Sequence, residues 1–235
     1  MNHLKIKVCG MKTPENIREA AALHPDYLGF IFYENSPRNF QGEIPEINPT
    51  IKKTAVFVDA SINFIMAKIA KYQFQAIQLH GNETPEFCEE LKSALNENKS
   101  EISIQNNVEI NKKSASIEII KVFSIKNEFD FNLLKPFEGK VDYFLFDSKG
   151  KNKGGNGFAF NWEILKDYPS STPFFLSGGI GLEEVVQIGK LQSYLQKIGK
   201  GKLLVAIDVN SKFEIEPGVK NIEDLAKFQK NLKFL

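Results

Sequence analysis

Short runs in which nearly every position is apolar recur along the chain, separated by longer stretches whose apolar residues fall at helical spacing. Runs of the first kind are expected of parallel strands buried on both faces. They predict strands over 6–9, 28–33, 54–58, 76–79, 119–123, 143–146, 173–176 and 203–207. Thr13-Pro14-Glu15-Asn16 and Thr84-Pro85-Glu86-Phe87 share one helix-start signal, a capping residue followed by Pro where a missing N–H costs nothing. Ser61 opens a further helix over 62–72, and later helices are predicted over 162–168, 182–195 and 222–232. Eight strands alternating with helices predict an α/β fold, a single-domain (β/α)8 TIM barrel over residues 1–235. An open doubly wound sheet would show fewer strands at this length. Two stretches break the rhythm. Residues 34–52, rich in Pro, Asn and Gly, read as a long loop with a degraded helix; residues 96–116, rich in Lys, Asn, Ser and Glu, read as a solvated surface insertion.

Composition narrows the partners. The 235 residues are 42% hydrophobic and 25% charged with a net charge of +1, which gives no reason to expect nucleic acid or a membrane surface as partner. No apolar run approaches the roughly 18 to 20 residues that span a bilayer. No signal-like apolar segment precedes the first strand, and the two cysteines, Cys9 and Cys88, form no disulfide framework, so a cytoplasmic setting is expected. Of the 30 basic residues only Arg18 and Arg38 are arginine, which singles out Arg38 in its loop, because Lys cannot reproduce the planar fork.

Barrel enzymes build their sites at the C-terminal strand ends. Here those ends carry Cys9-Gly10, then Ser36-Pro37-Arg38, Asp59, Gln78-Leu79-His80-Gly81, Asp147, Ser177-Gly178-Gly179 and Asp208-Val209-Asn210-Ser211. A thiol on one strand end and a carboxyl on another supply a base and an acid for proton transfer. The alternative for Cys9 alone is a small buried hydrophobe, the common fate of free cysteine. Ser177-Gly178-Gly179-Ile180-Gly181 lies between a strand and a helix, where glycines either let backbone N–H groups approach an anion or make a plain turn that needs positive φ. Asn210 and Ser211 of the next unit fall where barrels place a phosphate site. Gly154-Gly155-Asn156-Gly157 reads as a substrate-covering loop or a plain surface loop. His80 is an acid–base or pocket-lining candidate; with His3 and His24 in unrelated units, no metal site is expected. Cys88 reads as core, and Asp59 as a helix cap beside Ser61.

Lys7-Val8-Cys9-Gly10-Met11, Gly29-Phe30-Ile31-Phe32-Tyr33 with Ser36-Pro37-Arg38, Ile77-Gln78-Leu79-His80-Gly81, Phe144-Leu145-Phe146-Asp147, Leu176-Ser177-Gly178-Gly179, and Asp208-Val209-Asn210-Ser211 with Glu216-Pro217-Gly218-Val219-Lys220 occur in this order over nearly the whole chain. Together they resemble the phosphoribosylanthranilate isomerases of tryptophan biosynthesis. The resemblance implies a cofactor-free Amadori rearrangement of a small phosphosugar, by a monomer or homodimer, with Asp147 as general acid and Cys9 as general base. It puts the substrate carboxylate on Arg38 and the phosphate on the loops after strands seven and eight. The implied substrate-binding set is Arg38, Gln78, His80, Gly155, Gly157, Gly178, Gly179, Asp208, Asn210 and Ser211. Three departures from the family pattern stand out: Phe158-Ala159 after Gly157, Asn210 where Ser is common, and Lys212 where Gly is common. A histidine-pathway isomerase of the same fold would pair two aspartates, and an indole-forming barrel synthase needs a Lys and Glu set not found here. A non-catalytic phosphate-binding barrel would not need both Cys9 and Asp147.

Overall fold

The computed structural model describes residues 4–105, 116–126, 128–148 and 160–234. Eight parallel strands close into a barrel in chain order: β1 (Lys5–Val8), β2 (Tyr27–Phe32), β3 (Lys52–Phe57), β4 (Ala76–Leu79), β5 (Glu118–Ile125), β6 (Tyr143–Ser148), β7 (Phe174–Leu176) and β8 (Leu204–Val209). β8 pairs back onto β1, with Lys7 opposite Asp208. All eight predicted strands are present. The structure extends β6 and β8 through Asp147 and Asp208, so these two acids stand on strands rather than in the loops beyond them.

Alternation divides the apolar residues into two layers. Tyr27, Ala76, Ile120, Val122, Leu145, Phe175 and Ala206 fill the barrel interior. The outward-facing residues of the same strands pack against the surrounding helices and loops. The helices are α1 (Pro14–Ala22), α2 (Ile62–Tyr72), α3 (Pro85–Gln105), α4 (Val185–Lys197) and α5 (Ile222–Leu232). Ser61 and Asn221 cap α2 and α5 through their side chains.

Among the described residues, three units show no α-helix after their strand, and aromatic rings cover the strands there. Residues between β2 and β3 form no helix, as predicted; Phe40 folds back, stacks edge-on against Phe30 at 5.0 Å and reaches Phe32 and Tyr72. After β5 and β6 the described residues form 3₁₀ turns, Phe131–Phe137 and Trp162–Asp167, the second replacing the helix predicted over 162–168. Phe123, Phe129, Phe146, Tyr168 and Phe174 interlock over these units. These rings thus supply apolar area that helical faces usually supply.

Two sequence expectations are corrected. Residues 96–105, expected within a surface insertion, continue α3, because they contain neither Gly nor Pro to end it; 106–115 lie outside the described residues. Asp59 does not cap α2: Ser61 does, while Asp59 adopts a left-handed φ of 51° and accepts the backbone N–H of Asn82. Among the described residues, no helix is long and apolar enough to cross a membrane.

Candidate active site

β1 delivers Cys9 to the C-terminal mouth of the barrel, on the same strand face as Lys7. β6 delivers Asp147, three strands away around the wall through β8 and β7. Cys9, Gln78, His80, Asp147, Gly178, Gly179, Asp208, Asn210 and Ser211 all line one cleft, closed on its apolar side by Ile31, Val56 and Val58. Nine of the twelve expected site residues therefore meet in one place. Gly155 and Gly157 lie outside the described residues.

Arg38 is the exception among the described ones. It stands beside the cleft, where its Nε donates to both oxygens of Glu214 at 2.9 and 3.0 Å and its Nη2 to Oε2 at 2.5 Å. Lys220 donates to the same carboxylate and to the side-chain oxygen of Asn210, both at 2.7 Å. Gly10, with φ of 79°, fits where a Cβ would lie 2.7 Å from Asn210 Oδ1 and 2.9 Å from Arg38 Cδ. Arg38, Glu214, Lys220 and Asn210 thus form one network walling the Cys9 side.

Asp147 is 7% exposed. Burial, followed by the nearby negative charge of Asp208, pushes its carboxyl up to about 7. Its Oδ1 accepts the Ser148 N–H at 2.8 Å, and its Oδ2 lies 3.5 Å from His80 Nε2. Gln78 Nε2 stands 3.4 Å from His80 Nδ1 and orients the ring. The β4 loop beneath is held by a buried pair, Lys121 Nζ to Glu83 Oε2 at 2.8 Å, with Glu83 also accepting the N–H groups of Asp59 and Gly81.

Cys9 is buried, and that burial pushes its thiol up by more than the neighbouring Lys7 pulls it down. Lys7 is fully buried and donates to Asp208 Oδ1 at 2.8 Å; against burial, which pushes it down, Asp208 and then Cys9 hold its ammonium above the usual lysine range. Burial lowers Lys220 to about 8, opposed by Glu214. Arg38 and Lys220 outweigh the effect of burial on Glu214 and hold it below the ordinary carboxylate range.

The turn after β7 has the backbone that its glycines were expected to allow. Gly178 and Gly179 have φ of 89° and 65°, and a Cβ on Gly178 would lie 2.3 Å from Ser148 Oγ and 2.9 Å from Asp147 Oδ1. The N–H of Gly181 is already taken by Glu184 at 2.6 Å. Lys212 completes the cleft wall from the loop after β8.

Sequence reasoning missed Lys7, Glu214 and Lys220. Lys7 carried a readable signal, a lysine at an inward position of a strand buried on both faces, where charge occurs only when paired. Glu214 and Lys220 lie on a two-stranded hairpin, β9 (Glu214–Glu216) and β10 (Val219–Lys220), with no periodic pattern long enough to announce it.

These features define a β/α barrel with a buried carboxyl and a buried thiol at its C-terminal mouth, the place where barrel enzymes carry their sites. The sequence model of N-(5'-phosphoribosyl)anthranilate (PRA) isomerase matches residues 6–116 and 104–231. N-(5'-phosphoribosyl)anthranilate isomerase of Parabacteroides distasonis is 40% identical over 232 residues, covering 95% of this chain and 90% of that protein. The Phocaeicola vulgatus protein of the same name is 38% identical over 229 residues, 97% of each chain. The crystal structure of phosphoribosyl anthranilate isomerase from Thermus thermophilus shares the fold with a TM-score of 0.75 at 22% identity, over 98% of this chain and 99% of that one. The chain belongs to the phosphoribosylanthranilate isomerase family.

Proposed function

We propose that this protein converts N-(5-phosphoribosyl)anthranilate to 1-(2-carboxyphenylamino)-1-deoxy-D-ribulose 5-phosphate, the third pathway-specific step from chorismate to tryptophan, in the cytoplasm. The observation that carries the reading is the meeting of Asp147 and Cys9 in one buried cleft that also holds the glycine turn. A carboxyl raised to about 7 by burial is still partly protonated near neutrality and can serve as an acid.

Asp147 gives its proton to the furanose ring oxygen. The C1–O bond breaks as the anilino nitrogen lone pair forms C1=N, leaving a protonated Schiff base and a free hydroxyl at C4. Cys9, as thiolate, then removes the C2 proton; the C–H pair forms C1=C2 and the nitrogen regains its lone pair. The resulting enolamine tautomerises, gaining a proton at C1 and losing the C2 hydroxyl proton to become the ketone. No electrons enter or leave, so the rearrangement needs no redox partner.

The turn of Ser177, Gly178 and Gly179 and the loop of Asn210, Ser211 and Lys212 bind the phosphate in this reading, and Asp208 sets the cleft floor. Gln78 Oε1 is buried without a hydrogen-bond partner among the described residues, so it is ready for a sugar hydroxyl. Arg38 takes the anthranilate carboxylate with part of its fork while Glu214 holds the rest. Turnover of freshly prepared phosphoribosylanthranilate, followed by loss of anthranilate fluorescence, tests the reading. Wild type should turn over, and Cys9→Ala should fall by on the order of 100-fold or more. No turnover by the wild type removes the activity, and an active Cys9→Ala removes the base.

A further inference from the structure

We infer that Lys7 is the positioning residue that holds the Cys9 thiolate ready to accept the substrate proton. The inference rests on Cys9 being the base, and it concerns how so buried a thiol can ionise at all. Burial alone disfavours the thiolate, and Cys9 is 4% exposed.

Residues 7 and 9 of β1 point to the same side of the barrel wall, one strand repeat apart. The lysine side chain is long enough to span that repeat. Its Nζ is fixed at 2.8 Å from Asp208 Oδ1, and Lys7 and Asp208 are opposite each other in the β1–β8 register. Asp208 is fixed in turn, its Oδ2 accepting from Ser177 Oγ at 3.3 Å. The ammonium therefore cannot turn away from the thiol toward water, since Lys7 has no exposed surface.

The charged groups acting on Cys9 are Lys7 on its own strand, Asp208 on β8 and Lys220 on β10. Asp208 opposes ionisation. Both lysines favour it, Lys7 more strongly through its charge, whereas Lys220 is committed to Glu214 and Asn210. Asp147 also lines the cleft, and in the proposed reaction it enters protonated as the acid.

The fold itself has little use for the pair. A buried ion pair seldom outperforms apolar residues of the same volume, because desolvating both charges offsets their attraction. The neighbouring inward positions are filled by Tyr27 and Ala206. A lysine here places a cation against the thiol, which a hydrophobe of the same shape would not.

The test titrates the thiol without substrate, in a Cys88→Ala background that leaves Cys9 as the only cysteine. The pH dependence of iodoacetamide alkylation is compared with and without Lys7→Met. The midpoint should rise by about one pH unit or more, slowing alkylation below it roughly tenfold. An unchanged midpoint in folded Lys7→Met overturns the inference. If the unpaired Asp208 prevents folding, Lys7→Met combined with Asp208→Asn is compared with Asp208→Asn alone. The same rise is then expected, and equal midpoints overturn the inference. Because this titration involves no turnover, it separates from the assignment of Cys9 as base, which the activity of Cys9→Ala decides independently.

Discussion

Arg38 and Glu214, 176 positions apart in sequence, are joined by a two-pronged ion pair in which both side chains are largely removed from water, 12% and 4% exposed. The arginine is therefore neither a solvated loop residue nor a free receptor for a substrate carboxylate. It arrives already oriented.

This changes what its substitutions should do. Arg38→Ala leaves Glu214 with only Lys220 as cation in a buried network and should cost on the order of 3 kcal/mol, read by denaturant unfolding. Arg38→Lys keeps the charge but loses the fork, so KM should rise about tenfold with a smaller stability loss. Glu214→Gln should raise KM several-fold while kcat changes little, because it loosens the arginine without touching the reacting atoms. Unchanged KM in both milder variants would place the carboxylate site elsewhere.

The glycine turn after β7 makes a second prediction with an internal control. Gly178 and Gly139 both have left-handed backbones, φ 89° and 76°, but a Cβ on Gly139 meets nothing within 4 Å. Gly139→Ala should cost only the backbone term, about 1–2 kcal/mol. Gly178→Ala adds a clash with Ser148 and crowds Asp147 Oδ1. It should cost clearly more in unfolding experiments and lower kcat as well. Equal costs at the two positions would mean the turn can shift away from Asp147.

Inorganic phosphate should compete with substrate if the β7 and β8 loops bind the phosphate. Glu184 occupies the Gly181 N–H, which leaves fewer backbone donors and gives the Lys212 ammonium a larger share. Lys212→Ala should therefore weaken phosphate inhibition several-fold. Inhibition unaffected by that change would return the binding to the backbone of Gly178 and Gly179.

The barrel was legible because its strands are continuous apolar runs, and the cleft was legible because polar and glycine residues gather at one end of them. What local pattern cannot carry stayed hidden. The Arg38–Glu214 and Lys7–Asp208 pairs span 176 and 201 positions. The helix predicted over 162–168 gave way to a 3₁₀ turn in which Trp162, Leu165 and Tyr168 are all buried, Tyr168 against Phe146 and Phe174, a tertiary demand that overrides local spacing. Residues 96–105 were misread in the opposite sense, since polar composition does not preclude a helix.

With Asp147 as the proposed acid, one proton links activity to stability. Its carboxyl is raised from 3.8 to about 7, chiefly by burial. Between those values the folded protein holds a proton that the unfolded chain has released, so stability falls as pH rises through that window. Asp147→Asn keeps the shape without the charge. Its Tm should match wild type below about pH 4 and exceed it by several degrees at pH 8. Turnover should move the other way, falling by on the order of 100-fold or more because the amide cannot protonate the ring oxygen. In wild type the rate should pass through a maximum with pH, limited on one side by loss of the acid proton and on the other by protonation of the thiol. The two limbs are macroscopic values of interacting groups and belong to neither residue alone. Thermal unfolding of both proteins from pH 3 to 9, beside product-analogue affinity, decides the matter. A variant no more stable than wild type at pH 8 would show that Asp147 is already ionised at neutrality and cannot be the acid. Normal turnover per bound complex would pass that role to His80.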